Sequence, residues 1–299
     1  MKKLRQLIII SLLYVPRLSL AQTDSLLNLI QPDNKTREYV TSAFKSSRVV
    51  NNQSLEMIGK GVLDLRILHR FGPLNSGATN LFGLDQASFR LGFDYGITKN
   101  LTVGIGRSTY QKELDGLVKW RIVQQVRGYK AFPVSIIWVS GVTANTAPVP
   151  AGENAKPISD RTGYYHELIV GRKFSDKFSF QLNPILVHRN RIPAASEDEK
   201  NEVFAMGAGL RFKLSKRIAF IADYDYVLSG LDKSIYENPL GIGIDIETGG
   251  HVFQLHFSNS AGLNENAFLT HSTNKWSKGE INFGFNLSRV FSIRKHKIK

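Results

Sequence analysis

Cysteine is absent from all 299 residues, which excludes a disulfide framework and a lipid-anchored N-terminal cysteine. Long apolar runs are scarce. After the first residues no run of ~18 apolar residues occurs, so nothing in the mature chain could stop transfer across an inner membrane as a helix. A concentrated basic motif is missing too. The formal net charge is +14, but Lys2, Lys3, Arg5 and Arg17 lie in the leader and Arg294, Lys295, Lys297 and Lys299 in the tail. The rest of the basic residues are spread along strands and turns, which argues against a nucleic-acid partner. Seven histidines show no paired metal-ligand spacing, and His166 and Glu167, being adjacent, point to opposite faces of a strand. No metal and no cofactor is implied.

What is present begins with an address. Lys2, Lys3 and Arg5 form a basic start, Leu7 to Val15 an apolar core, and Ser19-Leu20-Ala21 a small-residue cleavage site before Gln22. Residues 1–21 therefore read as a secretory signal peptide. Residues 22–57 lack strand alternation and read as a periplasmic N-terminal segment. Asp33-Asn34 would cap a short helix through Tyr39 and Val40, and Val49-Val50 would be a short extended piece. This segment either packs against or inside one end of the strand-rich region 58–291, or runs as a flexible leader.

The stretch 86–109 sets the pattern of residues 58–291. Phe89, Leu91, Phe93, Tyr95 and Ile97 share one parity; Arg90, Gly92, Asp94 and Gly96 share the other. After Thr98-Lys99-Asn100 the alternation restarts with Leu101, Val103 and Ile105. Period two with one apolar face marks a strand, and a short polar break between two such strands marks an antiparallel hairpin. Charges alternating with glycines on the second face fit an enclosed polar lumen, with the apolar face turned to outer-membrane lipid.

Twelve such strands are expected: 60–71, the two of the hairpin, 114–126, 132–144, 162–173, 177–189, 202–213, 217–228, 240–247, 251–259 and 280–291. The strand over 132–144 is apolar on both faces, so its parity stays open. Asn183-Pro184 predicts a bulge and a change of parity. Trp120, Trp138, Tyr95, Tyr164, Tyr224 and Tyr226 fall on the lipid side. Connections alternate between tight ones, such as Ser215-Lys216 and Arg127–Lys130, and mostly long ones, such as 72–85 and 260–279. That is the outer-membrane pattern, with the short side and both chain ends periplasmic. The expected fold is all-β: a transmembrane antiparallel barrel of about twelve strands in a Gram-negative outer membrane, followed by a basic tail over 292–299. At ~3.3 Å per residue and a tilt near 40°, ten residues rise ~25 Å, the height of the apolar band.

The runs IGKGVLDLRILHRFG (58–72), LFGLDQASFRLGFDYGITKNLTVGIGRS (81–108), ETGGHVFQLHFSN (247–259) and KGEINFGFNLSRVF (278–291) resemble an uncharacterised family of bacterial outer-membrane β-barrel proteins, a domain of unknown function. The resemblance implies fold and location. It transfers no activity and no catalytic residue.

Two motifs invite catalytic readings. Gly104-Ile-Gly106, Gly207-Ala-Gly209 and Gly241-Ile-Gly243 lie inside strands with no helix following, so they are space for bulky inward neighbours rather than phosphate cradles. His256-Phe257-Ser258-Asn259 is similar to the His-x-Ser-Asn stretch of outer-membrane phospholipase A and lipid A deacylases. Parity, however, puts His256 and Ser258 inside the barrel, and Ser260 stands where the phospholipase pattern has glycine. No catalytic residue is assigned, and lipid hydrolysis is the least favoured function.

The inward charges are sorted. Arg66, Arg70, Arg90, Lys119 and Arg121 make a basic wall with Asp64 and Asp94 among them. Glu167, Asp223, Asp225, Asp245 and Glu247 make an acidic wall with Arg211 among them. Opposed walls make a transverse field. If water separates them the barrel is a porin-like pore for small polar or zwitterionic solutes, which inward glycines favour. If side chains meet, it is a salt-bridged, closed structural or interaction barrel.

Overall fold

The structure, a computed structural model, describes residues 36–148, 157–192 and 199–293. The expected signal peptide, the Asp33-Asn34 cap and the end of the basic tail lie outside the described residues.

Twelve strands form one closed antiparallel barrel. They are β1 (Val62–Pro73), β2 (Ala87–Thr98), β3 (Leu101–Ser108), β4 (Glu113–Val123), β5 (Ser135–Asn145) and β6 (Thr162–Lys173). After them come β7 (Phe178–Arg189), β8 (Glu202–Lys213), β9 (Ile218–Ser229), β10 (Leu240–Thr248), β11 (His251–Ser258) and β12 (Asn282–Ser292). Each strand pairs with its neighbours in sequence, and β12 closes on β1 from Asn282↔Pro73 to Ser292↔Val62. No described helix is long and apolar enough to cross a membrane, and full closure leaves no free strand edge.

Alternation dictates which side each residue takes. Ile105, Trp120, Trp138, Tyr164, Tyr224 and Tyr226 are exposed on the outer face. The charged parity of the same strands is buried inside: Asp64, Arg66 and Arg70 on β1, and Asp223 and Asp225 on β9. β5 resolves its ambiguous parity with Trp138 outward and Ile137 and Val139 inward.

Three expectations need correction. Pro184 causes neither a bulge nor a parity change. Burial alternates without a break through β7, and Pro184 pairs in register with Met206 of β8. Only the ladder to β6 is interrupted, between Glu167↔Ile185 and Val170↔Leu182, and register is the same on both sides. A proline removes one ladder donor, and a wall held on both sides absorbs that loss without an extra residue. Arg37–Tyr39 is extended rather than helical. A helix nucleus this short is costly, and the segment instead pairs with Val126–Gly128 of the β4–β5 connection. That connection is therefore longer than the expected turn Arg127–Lys130, because β4 ends at Val123 and β5 begins at Ser135. Of the placements open for the N-terminal segment, residues 44–55 take the one inside the barrel.

Candidate functional site

Residues 44–55 lie inside the lumen, and apart from the half-buried Lys45 they are buried. Their centre is a tight hairpin. Arg48 bridges Gln53, Val49 N–H donates to Asn52 O at 2.9 Å, and Ser54 N–H donates to Ser47 O at 2.9 Å. The segments on either side, 41–43 and 55–56, line the mouth at the short-turn end together with Lys99 and Gln124. The hairpin thus enters and leaves through that end.

A second insertion comes from the long-loop end. The β11–β12 connection folds inward as helix α1 (Glu265–Thr270), and all six of its residues are buried. Asn264 caps it: its side-chain oxygen accepts from Ala267 N–H at 2.9 Å, while its amide donates to Glu113 of β4 at 2.6 Å. Asn266 donates to Thr143 of β5 at 3.1 Å. The two insertions meet. Arg48 of the hairpin grips Glu265 of the helix with both guanidinium arms, at 3.0 and 3.3 Å, and Gln53 donates to the same carboxylate at 3.0 Å.

The sorted charges behave in two ways. Some neutralise locally. Arg66 pairs with Asp64 and with Asp94 at 3.8 Å, Arg90 with Asp115 at 2.8 Å, and Arg211 with Asp245 at 3.2 Å and Glu247 at 2.9 Å. Lys45 also reaches Glu247 at 3.0 Å. The basic wall is therefore less basic than its spacing suggests, because Asp115 shares Lys119's parity and faces inward too. Glu113 and Asp115 were legible on that parity and are absent from the expected walls. Arg121 stands apart, half-buried at the short-turn mouth beside Glu56 and Lys99.

The remaining charges, Glu167 excepted, use the hairpin. Among the described residues Glu167, Asp223 and Asp225 form no ion pair, nor do Arg70 and Lys119. One Asp223 oxygen accepts three consecutive main-chain N–H groups, of Val50, Asn51 and Asn52, at 2.9, 2.6 and 3.0 Å. Asp225 accepts from the Asn52 side chain at 2.9 Å, and Glu167 from Asn183. On the other side, Lys119 donates to Ser47 O at 3.2 Å and Arg70 to Val50 O at 3.4 Å. Three main-chain amides of the hairpin thus turn to Asp223, the Ser47 and Val50 carbonyls turn to Lys119 and Arg70, and Gln53 O turns to Gln181 of β7. The hairpin's peptide units lie between the two sets of charges. Between the walls lies the chain itself. The space offered by inward glycines is also taken: a Cβ at Gly106 would collide with the Arg90 guanidinium, and one at Gly141 with the Tyr165 ring.

His256 and Ser258 are both buried on the lumen side, as their parity requires. Ser258 Oγ accepts from Asn51 at 3.3 Å, and neither ring nitrogen of His256 has a hydrogen-bond partner among the described residues. The His–Ser contact that would activate a nucleophile is not formed.

Fold and lumen together define a closed antiparallel barrel with lipid-type outer surface and a self-filled interior. The chain belongs to the family described as a membrane bound beta barrel domain (DUF5777), whose model matches residues 44–291 and so begins with the hairpin. No curated protein matches it. Among solved structures it is similar to the NanC porin, at 8% identity and a TM-score of 0.46 over 76% of this chain and 98% of that one. It is similar to the KdgM porin in complex with disordered oligogalacturonate, at 9% and 0.47 over 77% and 99%. The Acinetobacter baumannii outer membrane protein Omp33 matches at 10% and 0.39 over 77% and 97%.

Proposed function

We propose that this chain is a porin-like barrel of the outer membrane for small polar solutes, closed in the present state by its own hairpin. Short turns face the periplasm in this reading, so the hairpin enters from the periplasmic side. The observation that carries the reading is how the hairpin is held. Across the charged part of the lumen its anchors are main-chain amides and carbonyls against side chains of the wall, contacts that water or a polar solute can replace. At the periplasmic mouth a cavity of about 320 Å³, lined in part by Tyr39, Glu56, Lys99 and Arg121, leads to it.

A second reading, a permanently closed structural barrel, is favoured by one observation. Phe44, Leu55, Phe268 and Leu269 pack in one apolar cluster with inward residues of β5 to β9. Recordings on the refolded protein in planar bilayers separate the two. The porin-like reading expects a mostly silent wild type and steady conductance after deletion of residues 44–57. A deletion variant that keeps the unboiled gel mobility of a folded barrel but never conducts would establish the structural reading instead.

A further inference from the structure

The hairpin is bound mainly through its backbone. Asp223 takes three successive N–H groups. Gln181 accepts Leu55 N–H at 3.1 Å and donates to Gln53 O at 2.7 Å. Gln254 donates to Val49 O at 2.9 Å, and Asn286 to Val50 O at 3.3 Å. With Lys119 on Ser47 O, the wall reads main chain along residues 47–55. Amide side chains of Gln181, Gln254 and Asn286 can donate and accept, whereas Asp223 only accepts and Arg70 only donates.

We infer that the lumen is a peptide-selective passage: the hairpin occupies it as an intramolecular stand-in, and the solutes it takes when open are short peptides. This rests on the porin-like reading. A peptide backbone carries an N–H and a C=O at each residue and turns both kinds to either side, which suits a wall where Asp223 accepts, Lys119 and Arg70 donate, and Gln181 does both. A neutral oligosaccharide presents hydroxyls that both donate and accept, so it gains nothing from the sorting of the walls. Zwitterionic ends add to the match, since an ammonium group prefers the Asp223–Asp225 side and a carboxylate the Arg70–Lys119 side. Specificity for particular side chains is expected to be low, because the wall contacts they would replace are made to the backbone.

The test uses the barrel lacking residues 44–57 in planar bilayers. The probes are a peptide of sequence Ser46 to Leu55, tetra-alanine, the same tetra-alanine with N-methylated backbone amides, and maltotriose, each added to both sides. The expected result is block of the current by both plain peptides at concentrations at least tenfold below those needed for maltotriose. N-methylation, and separately Asp223→Asn, should each raise the blocking concentration by about tenfold. Equal block by plain and N-methylated peptide would overturn the inference and leave the channel standing, whereas a folded barrel without conductance would overturn the channel itself. If the deletion variant does not fold, the same probes are applied to the full chain carrying Glu265→Gln, in which the hairpin has lost its charged partner. There, plain tetra-alanine should compete for the lumen and the N-methylated form should not, and absence of that difference would equally overturn the inference.

Discussion

The two sides of the lumen hold the same insertions by different physics. From β5 to β9 the wall turns Ile137, Val139, Tyr165, Ile169, Ile185, Val187, Val203 and Ile221 inward, all buried, against Phe44 and the helix residues Phe268 and Leu269. Across β1 to β4 and β9 to β12, and at Glu167, Gln181 and Asn183 of β6 and β7, it turns charges and amides inward. The apolar side is an ordinary core, stabilised by area removed from water at roughly 25 cal/mol per Å². The polar side contributes little net energy per contact, about 0.5–1.5 kcal/mol for a neutral hydrogen bond, but is expensive to leave unsatisfied. One side thus supplies cohesion, and the other fixes where and in which direction the hairpin lies. A gate needs the second kind of contact, because water can take over hydrogen bonds when the hairpin leaves.

The largest effect is expected where the two insertions meet. Arg48→Ala leaves Glu265 buried without its cation, a loss of about 3–5 kcal/mol. Chemical unfolding in vesicles should show that loss, and bilayer recordings should show frequent openings. A silent variant of unchanged stability would mean that the ion pair holds nothing. Next comes Asp223→Asn, which weakens three charge-assisted bonds at once; about 1–3 kcal/mol is expected, with the conducting fraction clearly raised. Its counterpart on the apolar side, Ile185→Val, should cost about 0.5–1.5 kcal/mol and scarcely change conduction. If Ile185→Val opens the barrel as much as Asp223→Asn does, the division of labour between the two sides is wrong.

The smallest effect is a pH dependence. Burial in the hairpin's return segment pushes the Glu56 carboxyl up from 4.5 to about 7, partly opposed by Lys119, Arg121, Lys45 and Arg211. Docking therefore takes up a proton. Glu56 favours the docked hairpin fully below about 4.5, and this contribution is lost as pH rises to about 7. Open probability should rise over that window, and Glu56→Gln should flatten the rise. An unchanged slope in Glu56→Gln would assign the dependence to another group.

The barrel was readable because alternation is a side-chain signal. β6 and β8 fall on the expected bounds, 162–173 and 202–213, and in β8 Phe204, Met206, Leu210 and Phe212 alternate with Ala205, Gly207, Gly209 and Arg211. β5 resisted because both of its faces are apolar. That double face is itself informative: Ile137 and Val139 face inward because something covers them, so a strand apolar on both sides points to a filled lumen. Helix α1 left a similar trace, with Asn264 as a cap and Phe268-Leu269 apolar within a long loop. The hairpin left almost none. Its contacts run mainly through main-chain groups that every residue carries, so Ser46 to Leu55 shows no periodicity to read. The sorting of charges was legible, and what lies between the walls was not, because two charged surfaces do not reveal whether water, side chains or backbone joins them.

A gated barrel requires that the hairpin occupy the lumen in the membrane and close it. Because the chain has no cysteine, a single engineered pair can test this directly: Asn51→Cys with Ser258→Cys, where the native side chains lie 3.3 Å apart. In the folded barrel, oxidation or a short bifunctional thiol reagent should link the two residues and abolish the residual openings, and reduction of the oxidised form should restore them. Failure of a folded barrel to cross-link, or a cross-linked barrel that conducts as before, would contradict the occupied, closed lumen.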